Sequence, residues 1–461
     1  MCAEAKFNFQ AIKDIAESSE MRLLVNALGP DSNIHIVGGI LRDVLMGREL
    51  GDLDLASPLH PSECLRRLEL AGIHCIPTGL QHQTVTAVLG ESFGNVEITS
   101  FRAPGMNPSG GVFLSETIEE DLSYRDFTIN ALAWNISESK LIDPFAGLND
   151  IKEGLLKTVG LPRERFLEDP LRAMRLIRFH SVLGFEIEQE TLEASKEFAD
   201  SLGRLSIERV RDEFSKTLLG CHTSSALSLL LSLGFLEKFM PELVTCADFE
   251  QNSFHSKDVF NHTLEVLQKT RKNLVLRLAA LLHDIGKPPS LSVDDSGQRH
   301  FYKHERIGAE MSREILSRLK YPNKVVDQVC VLVDTHMRPI TAGPPGLRRL
   351  LRDTEEVFSL WRELKEADAS SVKIDPNVLF RQLEEFDFQI EAIQKQPDVS
   401  PLKNLAISGK DLIDLGAVPG PKFGDTLRLL HERVLDDPSL NDKETLLNMV
   451  RDESLLDLVG K

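Results

Sequence analysis

The chain has no run of about 20 uninterrupted apolar residues, the length a helix needs to cross a membrane. Its first thirty residues mix Glu4, Lys6, Lys13 and Asp14 with short apolar runs, so the continuous apolar segment of a secretory signal is not expected. The six cysteines stand at positions 2, 64, 75, 221, 246 and 330 without a C-x-x-C pair. That spacing argues against a zinc ribbon and against a disulfide framework. Positive charge is in deficit: 53 Lys and Arg face 71 Asp and Glu, a net charge of −18. A general nucleic-acid coat is thereby excluded, because nonspecific phosphate binding needs surplus cations. Selective binding through a local basic cleft is not. Repeats of fixed period and long low-complexity segments are lacking too. The expectation is a soluble, cytoplasmic protein.

What is present suffices for ordinary cores: 42% of 461 residues are apolar, and that length implies about three or four domains. Residues 1–30 read as a leading helix. Strands are expected at Ile34–Val37, Asp52–Ala56, Thr84–Leu89 and Val96–Phe101, with a helix between Gly39 and Met46. Beyond about residue 150 the strand signal fades and helical patterns continue, including Phe166–Phe179 and Ile207–Leu219. Asp294–Gly297 and Ala342–Gly346 read as loops. The fold class is therefore α+β: a small mixed-sheet head at 1–150, then helical segments at 151–245, 246–375 and 376–461.

Two constellations carry chemistry. In the first, Gly38-Gly39 separates a strand from a helix, which lets backbone approach a phosphate at a helix N-terminus. Arg42, in the first helical turn, adds a cation. Asp52 and Asp54 follow. On a strand, positions i and i+2 share a face about 6.5–7 Å apart, while Leu53 and Leu55 anchor the other. Two carboxylates on one side repel unless a cation lies between them, and Mg²⁺ takes carboxylate, phosphate and water oxygens together. Such a pair suits phosphoryl or nucleotidyl transfer; a solvated strand edge is the bland alternative. Glu97 is either a third ligand or the partner in an edge-strand salt bridge.

In the second, six of the thirteen histidines fall between positions 255 and 336. His262, the adjacent His283-Asp284 and the later Asp368 run in the order H…HD…D. Imidazoles and carboxylates from separate helices converge on one divalent ion in such sets. Gly286 and Pro288 end the helix so that both His283 and Asp284 reach it. His304 and His336 are placed to complete a second metal, and Lys287 to hold a phosphate.

The head resembles the nucleotidyltransferases of the DNA polymerase β superfamily, and more closely the bacterial tRNA nucleotidyltransferase/poly(A) polymerase family. The segment Arg125-Asp126-Phe127-Thr128-Ile129-Asn130-Ala131-Leu132 resembles its ribose-binding motif. Asp143–Asp150 resembles its hinge motif, and Glu168–Arg175 its base-reading motif. Ser206-Ile207-Glu208-Arg209 resembles the neck helix that follows. The resemblance implies that Asp52 and Asp54 are catalytic and bind Mg²⁺, and that Gly38, Gly39 and Arg42 meet the triphosphate of CTP or ATP. It also implies that Arg125 and Asp126 meet the ribose, that Asp169, Arg172 and Arg175 read the base, and that Arg178 contacts the triphosphate. The partner it implies is a tRNA 3′ end.

Base reading has a physical basis. Cytosine and adenine both offer an exocyclic amine and a ring acceptor. An Asp169/Arg172 pair on one helix, opposite a stripe of Leu167, Leu171, Met174 and Ile177, accepts both and rejects guanine and uracil. Each good bidentate contact discriminates by about 1–3 kcal/mol; a plain i,i+3 ion pair is worth tenths of that.

Some positions depart from the family pattern. Tyr124 stands where the first of two arginines is usual, and His82-Gln83-Thr84 replaces His-Gly-Thr. The loop Ala103–Phe113 is uncharged and short. In this family that loop helps switch from C to A addition, and shortened forms occur in enzymes adding only C, so CCA, CC and A addition stay open. The H…HD…D set resembles the HD phosphohydrolase superfamily, with Mn²⁺, Ni²⁺, Mg²⁺ or iron as its ion. Some bacterial CCA-adding enzymes carry such a domain with phosphatase and 2′,3′-cyclic phosphodiesterase activity. Leu405–Leu412 with Gly416, Pro419-Gly420-Pro421 and Gly424 resembles the subfamily's tail, an RNA-contact candidate. Arg348, Arg349 and Arg352 read as a small basic face, either solvated or an RNA rim. The alternatives are a poly(A) polymerase, an HD-type RNA or nucleotide phosphohydrolase, and a noncatalytic RNA-binding module.

Overall fold

A computed structural model describes residues 7–48, 51–76, 83–106, 112–249, 258–372, 375–396, 402–416 and 421–452. His82, His255, Asn107–Gly111 of the short loop and Pro419-Gly420 lie outside the described residues. The chain divides into two units, 1–217 with 232–235, and 218–231 with 236–461.

The first unit is built on a seven-stranded sheet. The strands of that sheet and of a hairpin beside it are, in chain order, β1 (His35–Val37), β2 (Leu53–Ser57), β3 (Cys75–Ile76), β4 (Thr84–Leu89), β5 (Gly94–Ser100), β6 (Arg102–Met106), β7 (Val112–Leu114), β8 (Ala133–Asn135) and β9 (Lys140–Ile142). The sheet runs β3-β4-β5-β2-β1-β8-β9, with β6 and β7 paired as a separate hairpin. Only β2 and β5 are parallel within it; the other neighbours are antiparallel. The central strands bury Ile36, Leu53, Leu55, Val85, Val96 and Ile98. Each such side chain contributes roughly 1.5–3 kcal/mol when fully withdrawn from water. The leading segment is two helices, Phe9–Ala16 and Ser19–Leu28, because Ser18 caps the second through the amide of Met21.

Helix Gly39–Leu45 follows β1 directly. Gly38 caps it at φ 79°, a conformation glycine adopts without strain. Its buried face is Ile40, Leu41, Val44 and Leu45. The segments resembling the ribose-binding and hinge motifs pack against each other. Thr128 Oγ1 donates to Asp150 Oδ2 at 2.5 Å, and a Cβ on Gly147 would lie 2.2 Å from the Thr128 carbonyl oxygen. Asp143 accepts from the amides of Gly147 and Leu148, which starts helix Gly147–Glu153.

The single helix expected over Phe166–Phe179 is two. Pro162–Glu168 ends at Asp169, whose φ −147° and ψ 100° are extended, and Leu171–Leu183 begins after Pro170. A proline disfavours helical backbone in the residue before it and lacks the amide that would continue the ladder. The expected apolar stripe is therefore broken: Leu167 is 72% exposed, while Leu171, Met174 and Ile177 are buried.

Among the described residues the second unit is helical apart from a hairpin, Leu291–Val293 with Arg299–Phe301, around the expected loop at 294–297. A second pair beyond residue 150, Leu155–Leu156 with Glu186–Ile187, belongs to the first unit. Both escaped the strand reading because they are two or three residues long. The tail folds around Leu412, Leu430, Val434, Leu435, Leu446 and Val450. Among the described residues no helix is long and apolar enough to cross a membrane.

Candidate active sites

Register places the head's acidic group. Asp54 lies opposite Val37 on β1 and opposite Glu97 on β5, and β5 is an interior strand, so the edge reading of Glu97 does not hold. Asp52 directly precedes β2 and is exposed, instead of forming part of the strand. Burial pushes the Asp54 carboxyl up to about 6; Arg125 opposes the rise, and the charges of Glu97 and Asp52 add to it. A carboxylate so crowded by like charge is one that a divalent cation relieves. Gly38 lies against it: a Cβ there would sit 3.2 Å from Asp54 Oδ2 and 3.7 Å from Arg125 Nη1.

Asp54 opens onto a cleft of about 570 Å³ lined also by Gly38, Gly39, Arg42, Arg125, Asp126, Asp169, Arg172, Arg175 and Arg178. The structure thus gathers every nucleotide-site candidate except Asp52 on one cavity wall. Its guanidinium groups are fixed by carboxylates. Arg125 donates to buried Asp121, Arg175 to Asp126 at 2.5 and 2.7 Å, and Arg178 pairs with buried Glu213 at 3.3 Å. Arg42 donates to Asn130 Oδ1 and to both oxygens of Asp43. Asp126 also accepts from Asn130 and from the amide of Phe127, so despite its burial its carboxyl is held well below the usual range by Arg175 and these donors. Burial, reinforced by Arg175, brings Arg178 down to about 10. The Phe179 ring sits among Arg42, Arg175 and Arg178, whose Cζ atoms lie 5.1, 5.7 and 4.1 Å from its centroid. Its negative face helps these cations tolerate one another.

The expected Asp169/Arg172 pair is not formed. Asp169 receives Arg209 at 2.8 Å and accepts from the amide of Leu171. Arg172 donates to Glu168 at 2.6 Å and to the carbonyls of Arg165 and Tyr124. The break at Pro170 separates the two side chains that an unbroken helix would have set one turn apart. Arg102, Tyr124, Asn130, Glu168, Leu171, Phe179 and Arg209 complete the lining. Sequence reasoning passed over Arg102, Phe179 and Arg209 as site residues. Arg209 lay inside a matched segment; Arg102 carried no signal beyond its place at a strand exit.

In the second unit His262, His283 and Asp284 form one group of converging ligand atoms, and Asp284, His304 and His336 another. Asp284 serves both. Its Oδ2 lies 3.2 Å from His283 Nε2 and 3.6 Å from His262 Nε2, and its Oδ1 lies 3.4 and 3.8 Å from Nε2 of His304 and His336. Asp368 Oδ1 is 3.2 Å from His262 Nε2. The Nδ1 atoms of His283, His304 and His336 pair with the carbonyls of Ala280, Phe301 and Val333. That fixes the tautomer and leaves each Nε2 as a lone-pair donor facing inward, the arrangement of metal-bound imidazoles. His283 Nε2 is buried without a directed hydrogen bond. Lys287 reaches Asp284 Oδ2 at 2.6 Å and is itself buried.

The basic face expected at 348–352 is not a solvated one. Arg348 is buried against the Leu435 carbonyl, Arg349 pairs with Glu432 and Asp436, and Arg352 with Glu432 and Asp353. These arginines dock helix Pro344–Thr354 onto Pro421–Asp436.

Comparison with known proteins adds family-level findings. Residues 34–157 match the poly A polymerase head domain, 184–246 a probable RNA and SrmB-binding site of polymerase A, and 254–373 the HD domain. The chain is 34% identical to an A-adding tRNA nucleotidyltransferase of Deinococcus radiodurans, over 86% of this chain and 90% of that protein. It is 30% identical to a CCA-adding enzyme of a Geobacillus species, over 91% and 94%. The crystal structure of the Bacillus stearothermophilus CCA-adding enzyme in complex with CTP superposes with a TM-score of 0.70 at 25% identity, covering 95% of this chain and 98% of that one.

Proposed function

Since the chain belongs to the tRNA nucleotidyltransferase/poly(A) polymerase family, we propose that it adds CMP, AMP or both to the 3′ end of tRNA without a template. The observation that carries this reading is the joining of Asp54, the Gly38-Gly39 turn and seven arginines on one cleft. In the reaction the tRNA 3′-oxygen bonds to the α-phosphorus, the bond to the β-phosphate oxygen breaks, and pyrophosphate leaves. Asp54 and Asp52, with Glu97 beside them, fit a divalent ion. When bound, Mg²⁺ supplies charge neutralisation at the attacking and leaving oxygens. Arg42 and Arg178 hold triphosphate, Arg125 and Asp126 orient the ribose, and Asp169, Arg172 and Arg175 present donors and acceptors to the base.

The test is to sequence the 3′ ends made from tRNA lacking one, two or three terminal nucleotides, with CTP, ATP or both. Extension by C and A in order supports CCA addition. One AMP on tRNA ending in CC, with CTP refused, supports A addition, the activity for which the 34%-identical relative is named. Long A tails on oligo(A) without use of CTP overturn the tRNA reading. Asp54→Ala is expected to abolish incorporation in every case.

The second unit is proposed as a metal-dependent phosphohydrolase. Its support is the buried, inward-facing set of Nε2 atoms around Asp284. His262, His283, Asp284 and Asp368 hold one divalent ion in this reading, and Asp284, His304 and His336 fit another. The divisions near 150, 245 and 375 belong to the same proposal; the sheet ends at Ile142, and the metal set spans His262 to Asp368. A contact between the tail at 405–424 and tRNA, and a cytoplasmic location beside that substrate, complete it.

A further inference from the structure

Tyr124 occupies the position where the family pattern has an arginine, and its surroundings give the change a use. The ring is near two guanidinium groups: Arg102 Cζ is 5.8 Å and Arg172 Cζ 5.7 Å from its centroid. All three side chains line the head cleft. Each cation is held on its far side. Arg102 is tied to buried Asp121, through both its amide and Nε, and Arg172 to Glu168. Tyr124 holds Arg172 a second time, its carbonyl accepting from Nη2 at 3.0 Å. Arg172 Nη1 is spent on Glu168 and the Arg165 carbonyl. The hydrogens this leaves on Nη2 and Nε are therefore aimed by the ring and by one carbonyl.

An aromatic face attracts a guanidinium, whereas an arginine at 124 would set a third cation beside Arg102 and Arg172. The ring thus attracts both Arg102 and Arg172 and adds no charge beside them. We propose that Tyr124 is a positioning residue for base selection: it sets the angle at which Arg172 meets the incoming base, and so sets the preference for cytosine and adenine over uracil and guanine. This rests on the base-reading role given to Arg172 above. The phenol hydroxyl has no part in it; the ring face does.

The test compares Tyr124→Phe with Tyr124→Leu in the full-length protein. All four nucleoside triphosphates are assayed on tRNA lacking its 3′ nucleotides, and equilibrium binding of the same four is measured without tRNA. Tyr124→Phe is expected to keep wild-type selectivity. Tyr124→Leu, which fills the space without a π face, is expected to narrow the kcat/KM ratio of the nucleotide the enzyme incorporates, CTP over UTP or ATP over GTP, by about tenfold, with a matching change in the binding ratio. A purely structural role would lower all four nucleotides together and leave the ratios intact. Unchanged ratios in Tyr124→Leu, or an equal loss of selectivity in Tyr124→Phe, overturn the inference. Wild-type enzyme that does not prefer C or A would instead overturn the base-reading premise, so the two failures are read separately.

Discussion

At the scale of single residues, the head cleft is an exercise in holding charge still. Asp54 has its carboxyl raised to about 6, with burial the leading cause. A carboxyl raised in the folded state adds stability that is complete below its unfolded value and is lost as pH rises through the folded one. Metal-free wild-type protein is therefore expected to gain thermal stability relative to Asp54→Asn as pH falls from above 6 toward 3.8; paired melting curves in chelator across this window decide it. Cation binding follows the opposite sense, because a proton competes for the same oxygen. The Mg²⁺ concentration for half-maximal incorporation should rise by about tenfold per pH unit below 6. Phe179 is expected to act on phosphate instead of base: Phe179→Leu should raise KM for CTP and ATP alike by about three- to tenfold, leaving their ratio fixed. Steady-state kinetics with both nucleotides check this.

At the scale of elements, the approach of one backbone to another decides what the chain tolerates. A Cβ on Gly286 would lie 2.2 Å from the His304 carbonyl oxygen and 2.6 Å from the Gly308 amide. Gly286→Ala must then push helix His304–Arg318 away from the His283-Asp284 turn. The expected result is loss of bound metal in the second unit, read by metal analysis after dialysis, with nucleotide incorporation by the head retained. Much at this scale was legible in advance. The strand–Gly-Gly–helix unit, Asp54 on its strand and the alternation in Thr84–Leu89 follow from local pattern. The break at Asp169-Pro170 was legible too, since proline restricts its predecessor, but helical periodicity on either side masked it. Partner choice was not legible. Whether Arg172 takes Asp169 or Glu168, and whether Arg349 faces water or Glu432, depends on segments that fold in from elsewhere, such as Arg209 and helix Pro421–Asp436. Short strands such as Ala133–Asn135 are set by pairing with β1, which no local window contains.

At the scale of the molecule, a chain of net charge −18 handles a polyanion by concentrating its cations. Arg42, Arg125, Arg172, Arg175 and Arg178 all face one cleft, each with an anionic or carbonyl partner that fixes its direction. Steering by the whole-protein field is then unfavourable, and binding rests on the local cleft. The two units carry separate ligand sets, so their chemistries should separate by mutation. His283→Ala is expected to abolish metal binding and phosphohydrolase activity while leaving nucleotide incorporation intact, and Asp54→Ala to do the reverse. Parallel assays on the two variants test this; joint loss in either variant, with the fold intact, would contradict it.

The glycine at 286 has one more consequence. With no room for a side chain between the turn and the neighbouring helix, the histidine from that helix and the aspartate from the turn ride on a single stiff chassis. In the proposed two-ion reading, an ion settling on one side of the shared aspartate cannot reshape its own berth without moving the other. Occupancy of the two berths should be correlated, so that titration with metal shows a curve steeper or shallower than two independent sites would trace.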